Sequence, residues 1–227
     1  MTKPSVGAVD HFAVLDDLLT SRRSCRGFRP DPVDRSTIDR LLTAAQRAAS
    51  WCNTQPWELV VTTAEETDRL REVFAAAPPS GSDIDFPPGY EGVLAERRRE
   101  VGWQLYEAVG VTKGDREASG REMLRNFVFF DAPHVAIVHA PRSLGVYGVL
   151  DCGLYVQSFL LAAEALGLGT CAQAAVASYS GLLHERYDIT DDRQIVCGIA
   201  FGYADPEHAS AAFMSRRADL GDVVRVV

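Results

Sequence analysis

The stretch that most restricts the possible folds is residues 147–166, which is apolar on nearly every side of a helix. A helix with no polar face has no place on a water-facing surface, so this segment is expected to be a central buried helix. Gly167 is its expected stop, since glycine readily takes the left-handed conformation that closes a helix. The rest of the chain must then wrap around this element. Three short apolar runs suit buried strands: Leu59, Val60 and Val61 in 58–63, Val135, Ile137 and Val138 in 134–140, and Ile195, Val196, Ile199 and Phe201 in 194–203. Helical spacing places apolar residues at Phe12, Leu15, Leu18 and Leu19, and again at Ile38, Leu41, Leu42, Ala45 and Ala48 after a candidate N-cap at Asp34. Residues 65–77, 91–109 and 115–130 read as further helices.

With no repeat and no linker, the 227 residues read as a single domain, 1–227. Residues 78–89 carry four prolines, two glycines and two serines, and read as a mobile loop; a lid built on it would span 78–113. The end, Val223-Val224-Arg225-Val226-Val227, is β-branched and suited to pair with a sheet edge, its own or a partner's, as a swapped tail over 218–227. The net charge of −8 argues against nonspecific nucleic-acid binding. No uninterrupted apolar stretch approaches ~20 residues, so no membrane span is expected. The first ten residues lack a signal-peptide pattern, and cysteines 25, 52, 152, 171 and 197 form no Cys-x-x-Cys pair, which fits reduced thiols in a cytoplasm. Histidines 11, 134, 139, 184 and 208 have no zinc-like spacing, so no metal is expected.

Candidate binding residues lie in four places. Arg22-Arg23-Ser24-Cys25-Arg26 offers guanidinium forks for a phosphate; the alternative is a solvated basic helix end. The stretch from Ala48 to Trp57 gathers Ser50, Asn53, Thr54 and Gln55 between a helix and a strand; the alternative is polar side chains closing an ordinary turn. Residues 168–175 are small enough for a flat ligand to approach the backbone, or for tight internal packing. Ser215-Arg216-Arg217 is a second basic point. Together they suit a flat, phosphorylated ligand with a polar edge, and flavin mononucleotide (FMN) meets those demands. The chain has no Gly-x-Ser-x-Gly elbow, no phosphate-binding Gly-x-x-x-x-Gly-Lys-Ser/Thr loop and no Gly-x-Gly-x-x-Gly, which argues against a serine hydrolase, an ATP site and a Rossmann site.

Five motifs in order, Arg22-Arg23-Ser24-x-Arg26 with Phe28, Asn53-x-Gln55-Pro56-Trp57, Gly167-Leu168-Gly169-Thr170-Cys171, Cys197-Gly198-Ile199-Ala200-Phe201-Gly202 and a late Arg217, resemble the FMN-dependent nitroreductase family. The segment from Glu96 to Phe127 is similar to the nitrobenzoate-type branch. The resemblance implies an α+β fold, a central mostly antiparallel sheet wrapped by helices, and an intertwined homodimer with two FMN sites at the interface. It places Arg22, Arg23, Ser24 and Arg26 on the phosphate, ribityl chain and N1/O2 edge, with Arg217 as second phosphate ligand and Arg216 as the fallback. Ser50, Trp51 and Asn53 would come from the other subunit, and Ala49 and Gln55 beside them are further cofactor-binding candidates. The backbone of Ala172, Gln173, Ala174 and Ala175 would pass the flavin N5.

The implied activity is reduction of nitroaromatic or quinone-like compounds with NAD(P)H, NADPH slightly preferred, by ping-pong two-electron hydride transfer. Arg97, Arg98 and Arg99 are candidates for a 2′-phosphate, and Trp103, Tyr106 and Phe127 for the substrate side, or else these three are core aromatics. No side chain is expected to act as acid, base or nucleophile; Arg26 tunes the flavin. The alternatives are a reductive dehalogenase of the same fold and a non-catalytic flavin-binding protein. Trp51 stands where the family often has Ser or Gly, Ala49 where it often has Pro, and Ala174-Ala175 where some members have Glu-Gly.

Overall fold

The computed structural model describes residues 9–227; most of the N-terminal stretch read for a leader signal lies outside them. The three apolar runs form strands β1 (Glu58–Val61), β2 (His134–Pro141) and β4 (Arg193–Gly202). A fourth, β3 (Gly169–Gln173), comes from the small-residue segment. All pairings are antiparallel, in the order β1-β2-β4-β3, and β2–β4 is the longest ladder, with a register shift between Val138 and His139. β2 is buried from His134 to Ala140 because both sheet faces are covered. Val135 and Ile137 enter one core layer with Phe74, Phe129, Phe130 and Leu183. Ala136 and Val138 enter the other with Leu41, Trp57, Phe159 and Phe201, as a two-residue side-chain period requires.

Helices α1 (His11–Ser21), α2 (Arg35–Ala45), α3 (Ala64–Ala76), α4 (Gly92–Ala108), α5 (Arg116–Leu124), α6 (Gly145–Ala165), α7 (Ser180–Tyr187) and the short α8 (Leu220–Val223) surround the sheet. The Asp10 carboxylate caps α1 by accepting from the amides of Phe12 and Ala13. Asp34 stands at the start of α2 as expected, but its side chain makes no capping hydrogen bond.

The long apolar helix is α6, ending before Gly167 with φ +73°. It is not buried all round, as the sequence suggested. Gly148, Asp151, Cys152, Tyr155, Phe159 and Ala163 face the core. The opposite face, including Val146, Tyr147, Leu150 and Leu154, is exposed in the single chain, as are Phe12, Leu15 and Leu19 of the neighbouring α1. The sequence reading expected no membrane span, yet α6 has the length and composition of one; its inner face is built into the core instead.

The helix expected over 115–130 is also corrected. α5 ends at Leu124, and residues 125–131 form a turn in which Phe129, Phe130 and Asp131 all have positive φ. That reversal buries both phenylalanine rings under the sheet and aims the chain into β2. The C-terminal valines pair with no strand of their own chain and are exposed.

Candidate functional site

Arg22 leaves α1 in an extended conformation, and the chain then runs beside β3: Ser24 bridges Thr170, and the Cys25 amide donates to the Thr170 carbonyl at 2.8 Å. This alignment turns Arg22, Arg23, Ser24 and Arg26 into one wall of a cavity of about 280 Å³. The other wall comes from the far end of the chain, Phe213, Met214, Ser215 and Arg217, with Val101 of α4 between. The Arg217 guanidinium is steadied by the Ser215 hydroxyl at 2.7 Å and the Ser215 carbonyl at 2.9 Å. Arg26 lies over the Phe130 ring and donates to the Ser24 carbonyl at 3.3 Å. Among the described residues, Arg22, Arg23, Arg26 and Arg217 have no carboxylate partner. Four uncompensated guanidinium groups converging on a concave site leave their donors to an anion from outside.

Arg216 lies outside this cavity. It lines an adjoining groove of about 830 Å³ with Arg97, Arg98 and Arg217, and meets Glu100 at 4.0 Å.

The amide loop is elsewhere. Trp51 to Asn53 form a tight turn in which Cys52 and Asn53, and Gln55 just beyond, take positive φ, a strained arrangement that clusters at functional loops. The loop is fastened to α6: the Trp51 amide donates to the buried Asp151 carboxylate at 3.1 and 3.2 Å. The Ser50 hydroxyl accepts from the Gln55 amide at 2.9 Å, and the Trp51 ring meets the Tyr147 ring edge-on at 4.3 Å. Neither Ala49, Ser50, Trp51, Asn53 nor Gln55 lines the arginine cavity of its own chain. They flank the exposed face of α6 instead.

β3 leads into a turn at Ala174–Ser178. Ala172 and Ala174 are exposed and Ala175 is half-buried. Ala174 opens that turn, where amides lack helical partners. The Gln173 side chain points inward and donates to the Asn126 carbonyl at 2.8 Å. Gly198 of β4 is explained by the same crossing, since a Cβ there would meet the Val176 side chain at 2.9–3.0 Å.

Trp103 and Tyr106 come together on α4, their rings 5.8 Å apart, and line a separate groove with Tyr90, Arg98, Arg99 and the prolines at 87 and 88. Phe127 does not join them; it packs against the Tyr179 ring in the core. Sequence reasoning missed Leu19, Thr20, Val101, Phe213 and Met214 as cavity walls. It also missed Asp151, whose signal was a carboxylate in the middle of an apolar helix, far from the helix end where Glu164 stands.

Several other titratable side chains are structural. His134 accepts from the Val33 amide and donates to the Thr62 carbonyl, and burial lowers its pKa. Burial, with Arg193 alongside, takes His139 down to about 4. Burial pushes the Cys171 thiol up to about 11 and Cys152 and Cys197 up to about 12, which leaves them protonated and unreactive. Among the described residues no group of His, Cys, Asp or Glu could hold a metal ion.

Comparison with known proteins decides the family. The profile of the nitroreductase family matches residues 19–203. The chain belongs to that family. It is 33% identical to nitroreductase NfnB of Mycolicibacterium smegmatis over 99% of its own length and 97% of the relative's. It is 34% identical to a 4-nitrobenzoate reductase of Pseudomonas putida over 84% of its own length and 85% of the relative's. A crystal structure of the FMN-dependent nitroreductase NfnB from Mycobacterium smegmatis in complex with NADPH superposes with a TM-score of 0.91 at 32% identity, covering 96% of this chain and all of that one.

Proposed function

We propose that this nitroreductase-family protein is an FMN-dependent oxidoreductase that uses NAD(P)H, with NADPH preferred, to reduce nitroaromatic compounds. The observation that carries the reading is the convergence of Arg22, Arg23, Arg26 and Arg217 on one cavity with no carboxylate to neutralise them. A phosphate monoester is the ligand group whose charge and fork geometry fit them. When bound, the flavin supplies the hydride-accepting and hydride-donating chemistry, and the protein positions it and sets its electrostatics. Arg26, at the Phe130 end of the cavity, would add positive charge beside the bound flavin's ring edge, leaving Arg22, Arg23 and Arg217 to the phosphate. The small side chains of exposed Ala174 and half-buried Ala175 leave room for a ring face. NADPH preference is supported by the NADPH-bound relative and by the arginines of the adjoining groove.

At about 280 Å³ the arginine cavity is at the lower limit for a small-molecule site, so it accounts for the phosphate end of the ligand. The ring end needs another wall. The apolar faces of α6 and α1 are unpartnered in the single chain, and the loop carrying Ser50, Trp51 and Asn53 borders them. A second copy docked there as a homodimer would cover the apolar face and bring those polar side chains to the flavin. The exposed valines at the end of the tail would reach that copy.

The test is an anaerobic visible spectrum of the purified protein, followed through addition of NADPH and then a nitroarene. Bleaching of a flavin band by NADPH and its return with the nitroarene supports the proposal. A band that does not bleach with NADPH or NADH favours a non-catalytic flavoprotein. Return with a haloarene and not a nitroarene favours a dehalogenase.

A further inference from the structure

Residues 78–91 connect α3 to α4, and their two halves differ. The first half is tied down. The Gly81 amide donates to the Ser178 carbonyl and the Ser180 amide to the Gly81 carbonyl, both at 3.1 Å, and the Leu182 amide donates to the Ser80 hydroxyl at 3.2 Å. Asp83 is the last strong anchor. Its carboxylate accepts from Arg142 Nη2 at 2.6 Å, from the Ile195 amide at 2.7 Å and from His184 Nε2 at 2.8 Å. Beyond Ile84, no hydrogen bond or ion pair joins residues 85–90 to the body of the protein among the described residues. α4 itself buries no residue, and its one ion pair to another segment is the exposed 4.0 Å contact between Glu100 and Arg216. Within the chain, α4 is therefore placed largely by its ends, and Asp83 is the nearest firm point on its N-terminal side.

His184 is held at both ring nitrogens. Nε2 meets the Asp83 carboxylate, and Nδ1 meets the Ile189 carbonyl at 2.7 Å. Both partners only accept hydrogen bonds. A neutral imidazole has one donor nitrogen, so keeping both bonds requires the doubly protonated ring. We propose that Asp83 and protonated His184 are positioning residues that help pin the 80–84 strap, and through it α4, and that loss of the His184 proton, which costs the ring one of its two hydrogen bonds and its charge beside Asp83, loosens the strap.

The surroundings fit a charged ring. Asp83 comes from the strap, Glu185 and Asp188 from α7, and Asp191 from the loop before β4; Arg142, beyond β2, shares Asp83. His139 of β2 and Arg193 of β4 are the other charged or titratable groups nearby, and His139 is kept neutral by burial and Arg193. Burial works against the charge on His184, but the bonds to Ile189 and Asp83 outweigh it and raise the pKa. Burial likewise works against ionised Asp83, and its three donors outweigh that and lower the pKa. A raised histidine pKa contributes stability that is complete below the ordinary value of about 6.5 and fades as pH climbs through the folded value. A lowered carboxylate pKa contributes stability lost only as pH falls through its folded value. The latch is therefore closed at mildly acidic pH and opens as pH climbs through the raised value of His184.

Hydrogen exchange read by mass spectrometry on the full chain tests this, with peptides covering 78–91 and 92–108 followed at pH 6 and pH 9. Exchange is corrected for its intrinsic pH dependence, and β2 and β4 serve as internal references. Wild type should lose protection in both peptides at pH 9 while the strands hold theirs. His184→Gln, which keeps a neutral donor toward Asp83, should show equal protection at both pH values. His184→Phe should leave the strap less protected than wild type at pH 6, and to the same degree at both pH values. Unchanged wild-type protection across this range, a His184→Gln strap that still responds to pH, or a His184→Phe strap protected like wild type would overturn the proposal. The readout needs no turnover, so it stands apart from the catalytic assignment.

Discussion

Replacing Asp151 with alanine should loosen the polar loop without disturbing the sheet. Asp151 is the only carboxylate among the fully buried side chains described, at 4% exposure. Its hydrogen-bond partner is the Trp51 amide, at 3.1 and 3.2 Å to the two oxygens. A hydrogen bond to a charged group contributes roughly 1.5–3 kcal/mol, and deleting the acceptor leaves the amide unpaired. A loss of about 2 kcal/mol in Asp151→Ala corresponds to a fall in Tm of about 4–8 °C for a chain of this size. Asp151→Asn keeps an acceptor oxygen of the same shape, so its loss should stay within about 1 kcal/mol. Thermal unfolding by circular dichroism, at one fixed protein concentration so that association does not enter the comparison, measures both. Equal Tm values for the two variants, or an alanine variant as stable as wild type, would refute the assignment of Asp151 as the anchor of the loop. If the loop also borders the flavin, Asp151→Ala should weaken FMN binding in parallel.

Three further outcomes are expected. Gly198→Ala drives a methyl into Val176 and should cost about 1–3 kcal/mol, recovered in part by adding Val176→Ala, as urea unfolding would report. Leu150→Glu with Leu154→Glu places charge on the exposed apolar face of α6 and should yield a monomer in sedimentation analysis; an unchanged dimer would remove that face from the interface. Trp103→Ala should change KM for a nitroarene with little change in Tm, whereas Phe127→Ala, which opens a gap beside Tyr179, should lower Tm first; the reverse pattern would exchange their roles.

What the sequence made legible came from regular periodicity. The strands β1, β2 and β4 showed as apolar runs within two residues of their ends; in β2 and most of β4 burial on both faces removes polar residues, while β1 is only half-buried and shows through Leu59, Val60 and Val61. β3 did not show, since Gly169-Thr170-Cys171-Ala172-Gln173 has little side-chain bulk and owes its conformation to the ladder with β4. The break after Leu124 was hidden because Phe129, Phe130 and Asp131 adopt positive φ without a glycine to announce it; the burial of two aromatic rings outweighs local preference. α6 was read correctly as a helix, but an all-apolar sequence does not say whether its own chain covers both sides. The arginine clusters were visible as charge. Their meeting was not, because it depends on Ser24 running beside Thr170 and on the tail returning to α1.

The central claim is that arginines from both ends of the chain hold one phosphate. Equilibrium binding of FMN and of riboflavin, which lacks the phosphate, tests it most directly in wild type, Arg22→Ala, Arg217→Ala and the double variant. Two charge-assisted contacts at a half-open site should make wild type prefer FMN by on the order of a hundredfold. Each single variant should lose much of that preference, and the double variant should lose more, keeping only what the remaining arginines of the cavity supply. A wild-type protein indifferent to the phosphate, or a preference undiminished by both substitutions, would contradict the account.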